Sequence, residues 1–365
     1  MQSHQCQKYG DSVMPRSKHI ISAIDLFCGA GGLSYGLSKA GIDVRLGIDI
    51  DPDCQFPYTA NNHSEFWLRS VKDVEADELK CIFSQSSFRL LAGCAPCQTF
   101  SKYNPKGNEH DEKWWLLMEF ARLIRGLLPE FITMENVPGL AEQDVFKRFL
   151  DVLIKNNYAF SYKVVNCADY GVPQHRNRLV LIASRLGKIE LMSPNEFAHP
   201  RMTVRNAIGM LPSLRAGECD SNDILHQSAA LTSINLKRIQ ASKQGGTWRD
   251  WPPELIAKCH AKTSGKTYGS VYGRMSWDEP APTITTQFYG YGNGRFGHPA
   301  DNRALSLREG AILQGFPSDY KFIPDGSHFS RKQVGKLIGN AVPVTIGEVV
   351  GGSLYSFINK GVNYG

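Results

Sequence analysis

The run Ile20–Phe27, apolar along most of its length, opens into Cys28-Gly29-Ala30-Gly31-Gly32-Leu33 and then into a helical pattern over Leu33–Ala40. A buried strand followed by a glycine loop and a helix is the opening unit of a parallel sheet covered by helices. The glycines let the backbone turn tightly and approach a ligand closely, at the partly positive end of the helix that follows. Further apolar runs alternate with helical patterns: strands are expected at Val44–Ile48, Leu90–Gly93, Phe131–Glu135, Tyr162–Cys167 and Arg178–Ala183. Helices are expected at Cys54–Asn61, Trp114–Leu127 and Val145–Lys155. The fold class is therefore α/β, a mostly parallel sheet with helices on both faces.

The glycine loop lacks the third glycine of a dinucleotide fingerprint, because Ser34 stands there, so a ligand carrying a nucleoside fits at least as well. Asp49 and Asp51 close the second strand, about where such folds place a ribose-binding acid, and Asp73 is expected at the end of the next. Taken singly, each acid reads equally well as a solvated residue or a helix cap.

Cys94-Ala95-Pro96-Cys97-Gln98 follows the strand ending at Gly93. Zinc needs four ligands, and no second CxxC or HxxxH pattern accompanies this one; Cys259-His260 stands alone. A redox pair normally opens a helix early in a small fold. The remaining reading makes Cys97 a nucleophile whose thiol requires activation at neutral pH. Glu135, at another strand end, and Arg176 and Arg178, opening the next strand, would then converge with it over one edge of the sheet.

Regular alternation stops near Gly187. Residues 187–300 are loop-rich and hold 13 Lys and Arg against 9 acidic residues, four of the chain's six excess positive charges. The expected organisation is a tail at 1–18, a catalytic and cofactor-binding domain at 19–186, and a target-recognition domain at 187–300. A segment at 301–365 then returns to the first domain through helices at Leu307–Leu313, Lys332–Ile338 and Ile346–Phe357. The modest positive charge permits a polyanionic partner without demanding one. Nine scattered cysteines argue against a disulfide framework. No apolar run is read as a membrane span and the polar opening shows no signal core, so a cytoplasmic enzyme is expected.

The segments DLFCGAGGLSYG, GCAPCQTFS, ENVPGL, DYGVPQHRNR and KLIGNAVP, in this order, resemble the cytosine-C5 DNA methyltransferases, over roughly Ile20–Ala183 and Met275–Phe357. The resemblance implies a Rossmann-like fold that uses S-adenosylmethionine and no metal. It implies that Phe27 stacks on adenine, that Gly29, Ala30, Gly31 and Gly32 line the cofactor with their backbone, and that Asp49 binds the ribose. Asp73 would receive the adenine amino group, with Ile50, Val74, Pro96, Asn340, Ala341 and Val342 completing the pocket. Cys97 would be the nucleophile, Glu135 would hold the N3 and amino edge of cytosine, and Arg178 would contact O2. Arg176 would support the catalytic loop or a phosphate.

Cys94, Ala95 and His175 depart from the family pattern and are expected to touch no key role. Gln98, Ser101, Lys102, Lys106, Arg274 and Arg295 are candidate DNA contacts, with Lys237, Arg238, Arg249, Lys262 and Lys266 as further basic candidates. The expected partner is duplex DNA, read by a monomer of the prokaryotic restriction-modification kind acting on the nucleoid, beside a companion endonuclease. Two alternatives are a tRNA methyltransferase of the same architecture and a catalytically silent nucleic-acid-binding protein.

Overall fold

The computed structural model describes residues 20–83, 86–96, 112–262, 265 and 267–360. Its centre is a seven-stranded sheet: β1 Ile21–Leu26, β2 Asp43–Asp49, β3 Glu65–Leu68, β4 Phe88–Gly93, β5 Phe131–Asn136, β6 Ala159–Asn166 and β7 Asn177–Ser184. The spatial order is β3-β2-β1-β4-β5-β7-β6. β1 to β5 run parallel, whereas β7 is antiparallel to both β5 and β6. Strand order reverses between β1 and β4, and ligands of open α/β sheets bind in the crevice beyond such a reversal.

The helices α1 Gly32–Lys39, α2 Gln55–Asn61, α3 Ala76–Ile82, α4 Glu112–Leu127 and α5 Asp144–Lys155 fall between the strands. α5 shows why: Val145, Phe146, Phe149, Val152 and Leu153 repeat at helical spacing and are its buried residues. With Leu79 of α3 and Phe120, Leu123 and Ile124 of α4 they cover one face of the sheet. α1 and the helix Val344–Asn359 cover the other, through Leu33, Leu37, Ile346, Val349 and Leu354. These two helices meet backbone to backbone. A Cβ on Gly36 would lie 1.9 Å from the Val344 carbonyl oxygen, and one on Gly347 2.6 Å from that of Leu33.

Some elements differ from expectation. β3 and α3 are additional, and Val71–Asp73 is a 3-10 turn rather than a strand end. Residues 331–359 do reach the length and apolarity of a membrane span, contrary to the sequence reading. However, 72% of the qualifying window is buried in the fold, and residues 341–343 divide it into the helices Arg331–Asn340 and Val344–Asn359.

Packing also crosses the boundary expected at 187. Ile189 and Leu191 join the sheet core. Val204, Ile208, Met275, Ile284 and Phe288 share a further core with Ala30 of the glycine loop and with Leu313 and Ile338. Ile239, Trp248, Trp251 and Tyr291, with Ala304, form a small cluster of their own. Among the described residues of 187–300 the only ladder pairing is isolated bridges.

Candidate active site

The chain leaves β1 through Phe27, whose φ of +58° is in the left-handed region, followed by Gly29 at +55° and Gly31 at +90°. Three contacts fix the loop. A Cβ on Gly31 would come within 2.4 Å of Asn62 Nδ2, and one on Gly32 within 2.3 Å of the Val342 carbonyl oxygen. Tyr320 donates its hydroxyl to the Ala30 carbonyl at 2.6 Å. At Gly29, by contrast, none of the described residues lies within 4 Å of where a Cβ would be, so among them the backbone there is open.

Beside that opening, Asp49 accepts hydrogen bonds from the backbone N–H groups of Gly29 and Asp51, both at 2.9 Å. Burial raises its pKa above the usual carboxylate value, and these two bonds oppose the shift. Lys336 pairs with Asp51 at 2.6 Å and Gln333 donates to Asp53 at 2.5 Å, so the helix Arg331–Asn340 braces the turn after β2. Ile50 is 69% exposed, Asp73 is exposed, and Val74 is fully buried. Pro96 is half-buried; Ala341 and Val342 are buried, and Asn340 at the helix end is exposed. An open backbone cradle next to a carboxylate on a neighbouring strand end fits a nucleoside-bearing cofactor.

The second part of the site lies at the ends of β4 and β5 and the start of β7, which antiparallel pairing brings to the same edge. Glu135 pairs with Val180 and Asn136 with Leu179, which sets Arg178 beside the end of β5. Arg178 Nε lies 2.9 Å from Glu135 Oε1, in an ion pair whose carboxylate is only 5% exposed. The Cys94 thiol donates to Glu135 Oε2 at 2.8 Å. The next residue, Asn136, donates Nδ2 to the Ala95 carbonyl at 2.9 Å. Glu135 and Asn136 thus hold two consecutive residues of the segment that leads to Cys97. Cys97, Gln98, Ser101, Lys102 and Lys106 lie outside the described residues, as does Lys266.

Four expectations change. Cys94 contacts the candidate catalytic carboxyl directly, whereas its departure from the family pattern was expected to be inconsequential. Arg176 is buried, and its guanidinium donates to the carbonyls of Ile284, Gly339 and Ala341 at 3.1–3.3 Å. It ties β7 to the returning segment instead of meeting a phosphate, and burial lowers its pKa to about 9. Arg274 is 5% exposed and donates to the carbonyls of Ile239, His298, Ala300 and Asp301 and to Asn302 Oδ1. Its two terminal nitrogens are filled in this way and its Nε is buried without a partner among the described residues, so the group supports a loop instead of facing DNA. Arg238, a further basic candidate, donates Nε to the Leu255 carbonyl and stacks over Trp251 and Tyr272. Arg295 is half-buried and donates to the Gly245 carbonyl at 3.1 Å. Arg249 and Lys237 are exposed, with Arg249 lying over the Trp248 ring.

Asn136 and Gln174, within ENVPGL and DYGVPQHRNR, brace the site through hydrogen bonds that the motifs alone do not reveal. Gln174 is fully buried, donates to the Leu313 carbonyl and to Gln314 Oε1, and accepts from the Ile284 N–H. A buried polar residue that meets two other segments, at 284 and at 313–314, is invisible until those segments fold together.

Residues 21–356 match the family described as C-5 cytosine-specific DNA methylase. The type II methylase M.HgiDII of Herpetosiphon aurantiacus is 49% identical over 340 residues, 92% of this chain and 96% of that protein. The type II methyltransferase M1.HphI of Haemophilus parahaemolyticus is 31% identical over 336 residues, covering 90% and 85% respectively. Among solved structures, one described as a DNA modification methyltransferase encoded within a prophage of E. coli superimposes with a TM-score of 0.71 at 23% identity. It covers 93% of this chain and 99% of its own.

Proposed function

The chain belongs to the C-5 cytosine-specific DNA methylases and is a DNA cytosine-C5 methyltransferase of the type II restriction-modification kind; on that premise we propose that Cys97 adds covalently to C6 of a flipped-out cytosine while Glu135 and Arg178 hold its edge. The observation that carries this reading is the Arg178–Glu135 pair at 2.9 Å. N3 and O2 of cytosine are neighbouring acceptors on one edge of the ring, and a carboxyl beside a guanidinium matches that spacing of groups.

Cytosine C5 is a weak nucleophile. Addition of the Cys97 thiolate to C6 pushes an electron pair toward C5 and leaves an enamine-like carbon there. Glu135, sharing a proton with N3, and Arg178, donating to O2, take up the charge that would otherwise build on the ring. After methyl transfer the C5 proton leaves, the C5–C6 double bond re-forms, and Cys97 is expelled.

S-adenosylmethionine, when bound, supplies the methyl group and a sulfonium leaving group. Phe27, the backbone of Gly29–Gly32, Asp49, Ile50, Asp73, Val74, Pro96 and Asn340–Val342 would hold it; the open cradle at Gly29 supports this.

A base inside a duplex must leave the stack first, at a cost of a few kcal/mol met by phosphate and groove contacts. We assign those contacts to the loop after Cys97, with Gln98, Ser101, Lys102 and Lys106, and to 187–300, where Arg295, Lys237, Arg249 and Lys262 remain candidates and Arg274 does not. The tRNA reading is less supported, since the relatives above are named as type II methylases. A monomer working on nucleoid DNA in the cytoplasm, beside an endonuclease of the same site preference, completes the proposal.

The direct test is transfer of tritiated methyl from S-adenosylmethionine to duplex DNA and to tRNA in parallel, followed by bisulfite mapping of the DNA. Label on cytosines within one short DNA sequence is expected. Label on tRNA alone would overturn the assignment.

A further inference from the structure

We propose that Cys94 is a positioning residue for methyl transfer: its thiol, 2.8 Å from Glu135 Oε2, fixes the carboxyl in the plane that Arg178 approaches from the other oxygen. This inference rests on the reading of Glu135 as the group that meets the base edge.

The backbone at this point is well determined. Gly93 pairs with Leu26 of β1 and with Met134 of β5, and the Cys94 N–H donates to the Leu26 carbonyl at 3.2 Å. Cys94 is therefore anchored by the sheet, on the strand adjacent to the one that carries Glu135. The Glu135 side chain is not so anchored, because rotation about its terminal bond is broad unless its partners select one orientation. Arg178 holds Oε1 through charge, in an ion pair at 2.9 Å that makes no hydrogen bond, and Cys94 donates the hydrogen bond to Oε2. A thiol suits this position because it is small and uncharged, and a weak donor leaves the remaining lone pair of each oxygen available to the base.

The bond also couples two parts of the site. Glu135 grips Cys94 and Asn136 grips Ala95, so the carboxyl and the segment leading to the nucleophile are laced at consecutive residues. On this reading the cysteine pair that looks like a metal or redox motif in sequence is a nucleophile, Cys97, and a brace, Cys94, whose thiol meets Glu135. Among the described residues no cluster of three or more metal-ligating side chains occurs.

The test is single-turnover methylation with excess enzyme, for wild type, Cys94→Ala, Cys94→Ser, Glu135→Gln and the double variant Cys94→Ala/Glu135→Gln. Melting temperatures and binding of DNA and S-adenosylmethionine are measured beside it. Cys94→Ala is expected to lower the rate constant about tenfold, the order expected for losing a bond to an ion-paired carboxyl, without weakening binding. Cys94→Ser, which keeps a donor, is expected to recover most of that loss. In the Glu135→Gln background Cys94→Ala is expected to change nothing further, because both act through one interaction. An unaltered rate in Cys94→Ala, or an equal drop in both backgrounds, would overturn the proposal. Full activity of Glu135→Gln would overturn the reading of Glu135 and this proposal with it, whereas a slow Glu135→Gln beside a normal Cys94→Ala removes this proposal alone.

Discussion

Arg178 and Glu135 face each other across the antiparallel β5–β7 pair, with Nε and Oε1 2.9 Å apart at the edge of the sheet where the strand order reverses nearby. Because β7 runs against β5, the first residues of one strand meet the last of the other. Opposite charges 43 positions apart in sequence thereby become one recognition unit. Replacing Glu135 by Gln or Arg178 by Met should lower kcat by roughly 10²–10³-fold, the usual loss for one preorganised group facing transition-state charge. S-adenosylmethionine binding, measured by calorimetry, should be preserved in both. The double variant should lose less than the product of the two effects, since the groups act together; full multiplicativity would mean that they work independently.

The glycine loop separates binding from folding. Gly29→Ala places a methyl group into space open among the described residues, at a φ of +55°, so the expected stability loss is about 1–2 kcal/mol while cofactor affinity falls steeply. Gly32→Ala drives the same methyl to 2.3 Å from the Val342 carbonyl oxygen and should destabilise the whole chain by pushing the returning segment away. Denaturant titration alongside calorimetric binding distinguishes the two. Equal behaviour of both variants would show that Gly29 does not border the cofactor.

Asp25 lies fully buried beneath the loop. Its Oδ2 accepts from Ser34 at 2.7 Å, Oδ1 has no partner among the described residues, and burial raises its pKa from 3.8 to about 7. The folded chain keeps this proton up to about pH 7, while the unfolded chain releases it near 3.8. Between those values the native state binds the extra proton, so stability should fall as pH rises and level off above about 7, by a few kcal/mol at about 1.4 per unit. Asp25→Asn should lack this slope. A stability difference between wild type and Asp25→Asn that stays constant from about pH 5 to 8 in urea titrations would contradict it.

Further from the site, Arg303 is fully buried and donates to both oxygens of Glu309, at 2.7 and 2.8 Å, and to Asp301 at 2.9 Å. Glu309→Ala leaves that guanidinium with the Asp301 carboxylate and the Leu214 and Ala304 carbonyls among the described residues and should cost about 3–5 kcal/mol of stability in denaturant titration.

Much of the sheet is legible in the sequence because buried strands are written as largely apolar runs, as in Ile21–Leu26 and Phe131–Met134. β3 is not, since its four residues at the sheet edge are half exposed or exposed and no such run forms. Strand direction is also unwritten: nothing in the apolar run of β7 says that it lies antiparallel to β5. The glycine loop, Glu135 and Arg178 are legible through residue order and resemblance. The arginines mislead, because an Arg in sequence is only a positive charge. That Arg176 and Arg274 bury their guanidinium groups among carbonyl oxygens depends on how residues 239, 284, 298–302 and 339–341 come together. Cys94 misleads in the opposite way: its spacing to Cys97 draws the eye, while its partner lies 41 residues downstream at Glu135.

The central claim is tested most directly with a duplex carrying 5-fluorocytosine at the methylated position, incubated with enzyme and S-adenosylmethionine. Fluorine cannot leave as a proton does, so elimination stops and the enzyme–DNA bond persists through denaturing electrophoresis. The account predicts a stable adduct attached to the peptide containing Cys97, absent in Cys97→Ala. Turnover of ordinary DNA with no adduct on the fluorinated duplex, or an adduct on another residue, would contradict it.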